Sequence, residues 1–368
     1  MIRSSTRFAL MLLAALLAVA PSFAQDEQQT PMTIPQMLAA AEDLRARGRI
    51  DDAVKALDYI LTTEPSNIDA LRLLGDIAWD QHDAEEAQKR WMAVRRIQQN
   101  DFGANWGLGR LYLQGSSGRG SARNAILYLE VAESVLPASE PELKPKVLLA
   151  LAQAYSADGQ TSRAMEKVRQ VLAVAPDDYD ACYFLIALRL GSAQSADDYD
   201  QALSDAERLV QVVRRELEAS GTTLEGAQRL AAAYQMEIQV LKGSASVVFE
   251  RNPDGSLSDR LLPGKEKRAA ATITKTVDAM LRYTDLQRTL AYFQIAEVAA
   301  KAVEYDANPD TLMELGLLQK ATGQSAKAIE TFRKVLEIDP LHKEARRQLD
   351  ALQSQEFGPS AWPSLGAP

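Results

Sequence analysis

A pattern of small residues, one large side chain and a closing proline returns along this chain at a nearly fixed interval, and it restricts the possible folds more than any other feature. The clearest copy is MELGLLQKATGQSAKAIETFRKVLEIDP, from Met313 to Pro340. With Leu315-Gly316, Gly323, Ala328, Phe332 and Pro340 as a ruler, the same offsets pick out Ala40-Ala41, Gly48, Ala53, Leu57 and Pro65. Leu74-Gly75, Ala87 and Trp91 follow one period of about 34 residues further on. Leu108-Gly109 and Tyr112 keep that period, and Ala125, Leu129, Ala132 and Pro137 come after a few extra residues in QGSSGRG. A further copy holds Leu151-Ala152, Tyr155, Gly159, Ala164, Val168 and Pro176.

Each position has a physical reason. Small residues at Gly75, Gly109 and Gly316, and at Ala53, Ala87, Ala164 and Ala328, let two antiparallel helices approach closely, while Leu57, Trp91 and Phe332 fill the wedge towards the next pair. Gly48, Gly159 and Gly323 permit the tight turn within a pair, and Pro65, Pro176 and Pro340 end the second helix. One pair cannot bury its apolar face alone, so the copies must stack. The expected fold is all-α: a right-handed solenoid of stacked antiparallel helix pairs.

These residues resemble the tetratricopeptide repeat family, because several independent positions recur in phase. The resemblance implies an N-terminal array over 34–178 and a C-terminal copy with a capping helix over 309–355. Between them, residues 179–308 read as degenerate helices, with a longer connection from Gly191 to Asp200 and further helical repeats from Glu266 to Tyr305. Within that span SASVVFERNPDGSLSDRLLPG loses the helical period, gains β-branched residues and carries an Asn-Pro-Asp-Gly turn. It reads as a small β-hairpin or ordered loop inserted around 243–263, and such insertions often bind.

The ends carry different signals. Arg3 and Arg7, an apolar run from Phe8 to Ala20 and the small residues of Ser22-Phe23-Ala24 form a secretory leader over 1–24, so the mature chain is expected in a bacterial periplasm or outside the cell. Residues 25–33 and 356–368 are polar or proline-rich and are expected to be disordered. Losing Arg3 and Arg7 and no acidic residue moves the net charge from -9 to -11. Such a surface repels nucleic-acid phosphates, and the mature chain holds no apolar run long enough to span a bilayer. Cys182 is the only cysteine, so no internal disulfide is available; among the apolar residues of ACYFLIALRL it reads as a small buried hydrophobe.

Nothing in the residue set assembles a catalytic site. The two histidines, His82 in a turn and His342 before the last helix, stand without a nucleophile or a metal-ligand partner nearby. GSSGRGS lacks the lysine and the preceding strand of a phosphate-binding loop. No enzyme activity, cofactor or metal is expected.

The resemblance implies instead that the first helix of each pair lines a groove for a peptide or protein partner. Carried over residue by residue, the groove positions are Glu42, Arg45, Arg72, Asp76, Trp79, Trp106, Arg110, Lys146, Leu149 and Gln153. Trp and Arg are common binding hot spots, although Trp79 and Trp106 are equally placed to pack between first helices. The lysine and asparagine clamp of chaperone-binding members is absent, because the matching places hold Leu38, Glu42, Leu73, Gly103 and Gly107. The expected function is a non-catalytic protein-binding scaffold of the cell envelope; the alternative is an architectural subunit that self-associates or joins an envelope complex through its convex face.

Overall fold

The computed structural model describes residues 32–114, 119–252, 254, 256–305 and 307–355. The leader, the residues up to 31, the tail from 356, and Pro253 and Gly255 of the expected turn lie outside the described residues. The N-terminal array consists of paired helices: α1 (Ile34–Ala46) with α2 (Ile50–Thr63), α3 (Ile68–Asp80) with α4 (Ala84–Ile97), α5 (Phe102–Gln114) with α6 (Arg119–Ser134), and α7 (Leu143–Ala157) with α8 (Thr161–Val174). Each helix packs on the next in chain order, and every first helix after α1 also touches the first helix before it or the second helix of the preceding pair. The fold is the all-α stack of antiparallel helix pairs that the repeat requires.

Local chemistry sets the helix ends. Asn67, Asp83 and Asp178 accept the backbone N–H three residues on, at 2.9, 3.0 and 2.8 Å. Thr33 was expected to be disordered, yet its N–H donates to Gln36 Oε1 at 2.9 Å as part of the capping box that starts α1. The turns inside the pairs need a left-handed residue, which Gly48, Gly159 and Gly323 supply at φ of 74°, 83° and 74°. In the second pair that place belongs to His82, at φ 62°, so this histidine is a turn residue held in a conformation that L side chains disfavour. His342 is also structural: its Nδ1 accepts the Ala345 N–H at 3.1 Å and caps the last helix.

The small residues of the first helices are notches for large side chains of the second. A Cβ on Gly75 would stand 2.6 Å from the Trp91 indole, and one on Gly107, in the next pair, 2.4 Å from the same ring. Trp91 is therefore wedged between α3 and α5 and is completely buried. Gly109 makes the same room for Leu129, and Gly316 for Phe332.

Beyond residue 178 the helices lengthen. α9 (Tyr179–Ser192) joins α10 (Ala196–Ser220), and α11 (Leu224–Ser244) follows. The expected long connection before Asp200 shrinks to residues 193–195, because Ser195 and Asp198 form a capping box that starts α10 early. Buried Cys182 packs with Ile186, Ala206 and Tyr234, and burial pushes its thiol up to about 11.

The expected hairpin is present: β1 (Phe249–Arg251) pairs antiparallel with β2 (Leu257–Leu261), and Asp254 Oδ1 accepts the Ser256 N–H at 2.9 Å across the turn. The expected repeats over 266–305 are not present. That whole span is one helix, α12 (Glu266–Tyr305), of 40 residues, and it contains neither glycine nor proline to break it. It packs on α11 on one side and on α13 (Pro309–Ala321) on the other; α13 pairs with α14 (Ser325–Ile338), and α15 (Lys343–Gln355) covers the end. Ala345 and Leu352 of α15 are buried, whereas Arg346, Arg347 and Asp350 face outward, as a cap requires.

Two substitutions test this packing. Gly316→Leu drives a side chain into Phe332 and is expected to destabilise the C-terminal pair by roughly 1–3 kcal/mol, read as a lower urea midpoint. His82→Gly removes the left-handed strain and is expected to raise stability by about 0.5–1 kcal/mol, the strain relief less the entropy that glycine adds to the unfolded chain; an unchanged midpoint would show that the turn carries no strain.

Candidate functional site

The first helices repeat every 34 residues over α1, α3 and α5, so equivalent side chains rise one above another. Glu42, Asp76 and Arg110 form one such column, and Leu38, Arg72 and Trp106 form a second. Residues one helical turn apart share a face, and these columns lie side by side on the face that α2, α4 and α6 leave uncovered. Two adjoining clefts run along it. The first lies between α1 and α3 and holds Glu42, Arg45, Arg72 and Asp76. The second lies between α3 and α5 and holds Trp79, Trp106 and Arg110 beside the same Arg45, Arg72 and Asp76.

The centre of the second cleft is a cation between two rings. The Arg110 guanidinium lies 5.3 Å from the Trp79 ring centroid and 5.1 Å from that of Trp106. Both distances are within cation–π range. Trp79 also leans on buried Trp91, 5.9 Å away, so it serves the core and the groove together. Arg110 Nε makes no hydrogen bond. Burial pulls the Arg110 pKa down from the usual arginine value, against the opposing field of Asp76 and Asp80.

The remaining charges are arranged around that cation. Burial pushes the Asp76 carboxyl above the usual aspartate value, against the pull of Arg45, the Trp91 N–H, Arg110 and Arg72. Trp91 Nε1 donates to Asp76 Oδ1 at 3.1 Å. Arg45 pairs with Asp80 at 2.6 Å, and Arg72 bridges Asp69 at 2.6 Å and buried Asp101 at 3.2 Å. The arginines are thus aimed by carboxylates while their outer edges line the cleft.

Seven of the ten expected groove residues come together here: Glu42, Arg45, Arg72, Asp76, Trp79, Trp106 and Arg110. Lys146, Leu149 and Gln153 do not. They sit on α7, 43 residues after Gly103, Trp106 and Arg110, and line neither cleft; Leu149 packs against the core while Lys146 and Gln153 are exposed. The far wall of the cleft is formed by Pro137 and Glu140, from the connection into α7, and by Leu143, the first residue of α7.

Sequence reasoning missed Asp80, Asp101 and the use of Gly103. Asp80 lies one helical turn after Asp76, and Asp101 occupies the cap position before α5, accepting the Ala104 N–H at 2.7 Å. Either could have been found as a carboxylate one repeat away from Arg45 or Arg72. Gly103 is small because the Arg72 stem crosses it: a Cβ there would lie 2.3 Å from Arg72 Cδ. Among the described residues no group of histidine, cysteine or acidic side chains is placed to hold a metal ion, and no helix is long and apolar enough to cross a membrane.

Models of the tetratricopeptide repeat match residues 44–108 and 309–340. No curated protein matches the chain significantly. Similar solved structures include MamA from Desulfovibrio magneticus, at 17% identity and a TM-score of 0.41, covering 49% of this chain and 94% of that one. A tetratricopeptide repeat protein from Parabacteroides merdae is 14% identical with a TM-score of 0.42, covering 87% of this chain and 98% of that one. A thermophilic TPR protein of Thermus thermophilus is 21% identical with a TM-score of 0.38, covering 55% and 98%. The first matched segment spans the helices that build the groove and the second is the copy whose Gly316 receives Phe332; over these two segments the chain is built of tetratricopeptide repeats.

Proposed function

We propose that the protein is a non-catalytic scaffold that captures an extended peptide, or an exposed segment of a protein partner, in the groove along α1, α3 and α5, and that it works in the cell envelope after export. The observation that supports this above the others is Arg110 held between Trp79 and Trp106. A guanidinium fixed in this way loses little freedom when a ligand arrives, so binding costs less side-chain entropy than at a free surface arginine. Its edge can donate to a carboxylate or a backbone carbonyl of the peptide, while the two indoles offer flat apolar area. The flanking carboxylates Asp76 and Asp80 keep the site from being a general anion trap, which favours a ligand carrying mixed charge over a polyanion.

Peptides selected from a random display library against the purified protein provide the test. Arg110→Leu, and separately Trp79→Ala with Trp106→Ala, are expected to weaken the selected peptides by at least about tenfold, on the order of 1.4 kcal/mol, with the circular dichroism spectrum unchanged. Selected peptides that bind all variants equally would remove the groove from the proposal. The export half of the reading predicts that the mature chain begins at Gln25, read by N-terminal sequencing of the protein recovered from an envelope fraction; an intact Met1 in the cytosol would overturn it.

A further inference from the structure

α12 buries one face and leaves the opposite face bare. Ala279, Leu286 and Phe293, seven residues apart, turn inward, Leu286 and Phe293 onto the cluster built by α10 and α11 and Ala279 onto Leu241. On the other side Ile273, Val277 and Met280, then Tyr292, Ile295 and Val298, are all exposed, from 37% for Tyr292 to 68% for Val298. At 100° per residue these six fall within one stripe of about 120°. Between its end residues the stripe is about 38 Å long, and at roughly 10 Å width it covers on the order of 400 Å². Single exposed apolar residues need no explanation, but two patches of them on one stripe, one on each side of residue 286, mark an interaction surface.

The order of residues in the strip says what covers it. About residue 286, the exposed large apolar side chains lie thirteen, nine, six and five residues before and six, nine and twelve residues after; only Leu281, whose mirror position is Ala291, lacks a large counterpart. The strip is thus nearly its own mirror in sequence, which is what a two-fold antiparallel pairing of identical helices demands. In that pairing Val277 of one copy meets Ile295 of the other, and Met280 meets Tyr292.

The charges select the same arrangement. Thr284, Asp285 and Arg288 interrupt the strip near its centre; the two charged residues are exposed and 3.6 Å apart within one chain. An antiparallel partner brings Arg288 of each copy beside Asp285 of the other, whereas a parallel partner would set Arg288 against Arg288. We propose that α12 is a homodimerisation helix and that two copies of this chain pair antiparallel through it about a two-fold axis near residue 286. The strip is smaller than the roughly 800 Å² per partner of a standard interface, so the dissociation constant is expected to be micromolar. This surface is separate from the groove, and peptide binding and dimerisation can fail independently.

Sedimentation velocity of the purified protein between about 1 and about 200 µM should show a shift from one chain mass to two. Val277→Glu with Ile295→Glu should move the midpoint at least about tenfold upward without changing the thermal melt, since both side chains are outward. Orientation is read by cross-linking: Leu281→Cys and Ala291→Cys chains should form a disulfide dimer when mixed and little when alone, because an antiparallel pair places each beside the other and about 15 Å from its own copy. Cys182 is buried and does not compete. A monomer throughout the range, a dimer indifferent to the double glutamate variant, or cross-linking of either cysteine chain with itself in preference to the mixture would overturn the proposal.

Discussion

How closely two helices approach is decided in this protein by a large side chain lying in a notch that only glycine leaves open. Trp91 occupies two such notches at once, Gly75 on its own pair and Gly107 on the next, so one indole sets both the spacing within a repeat and the spacing between repeats. Interiors packed at crystal density transmit such a constraint without slack. The same device recurs with Leu129 over Gly109 and Phe332 over Gly316. Each repeat depends mainly on its neighbour, so these contacts, more than any global core, hold the array in register.

The groove follows from that packing. Because Trp91 pulls α3 and α5 together, its N–H reaches Asp76, and Trp79 and Trp106 come near enough to enclose Arg110. The Trp91 N–H thus meets Asp76 at the edge of the core, and Asp76 and Arg110 face each other's charge at the open side. Gly103 lets the Arg72 stem pass to Asp101. The groove is the outer edge of the same contacts that keep the helices apart by the correct distance.

Much of this was legible from residues alone, because a repeat states its own alignment. The notches at Gly75 and Gly316, the turn positions and the column of Glu42, Asp76 and Arg110 all come from one ruler laid along the chain. Legibility failed where the ruler lost its period. Lys146, Leu149 and Gln153 were carried into the groove by counting repeats, but Leu149 turns in to pack against the core and the cleft there is walled by Pro137, Glu140 and Leu143. The repeats expected after Glu266 became one helix, since amphipathic period alone does not reveal a missing turn; the absence of glycine and proline over 266–305 was the available signal. Asp80 and Asp101 escaped notice because helix-end carboxylates are ordinarily explained by capping.

The unbroken length of α12 has a mechanical consequence. At 1.5 Å per residue its 40 residues make a rod of about 60 Å, joined to α11 over one part and to α13 at its far end. A repeat array normally bends by sharing small rotations among many turns, but a rod concentrates them at its ends. Phe293 still packs on α10 and α11, so the arm beyond it is about 18 Å and a tilt of about 10° there would carry the C-terminal pair by about 3 Å. The chain thus joins a finely jointed N-terminal half to a C-terminal pair set by one rod and braced where the Gly323 turn meets Thr222, between α10 and α11.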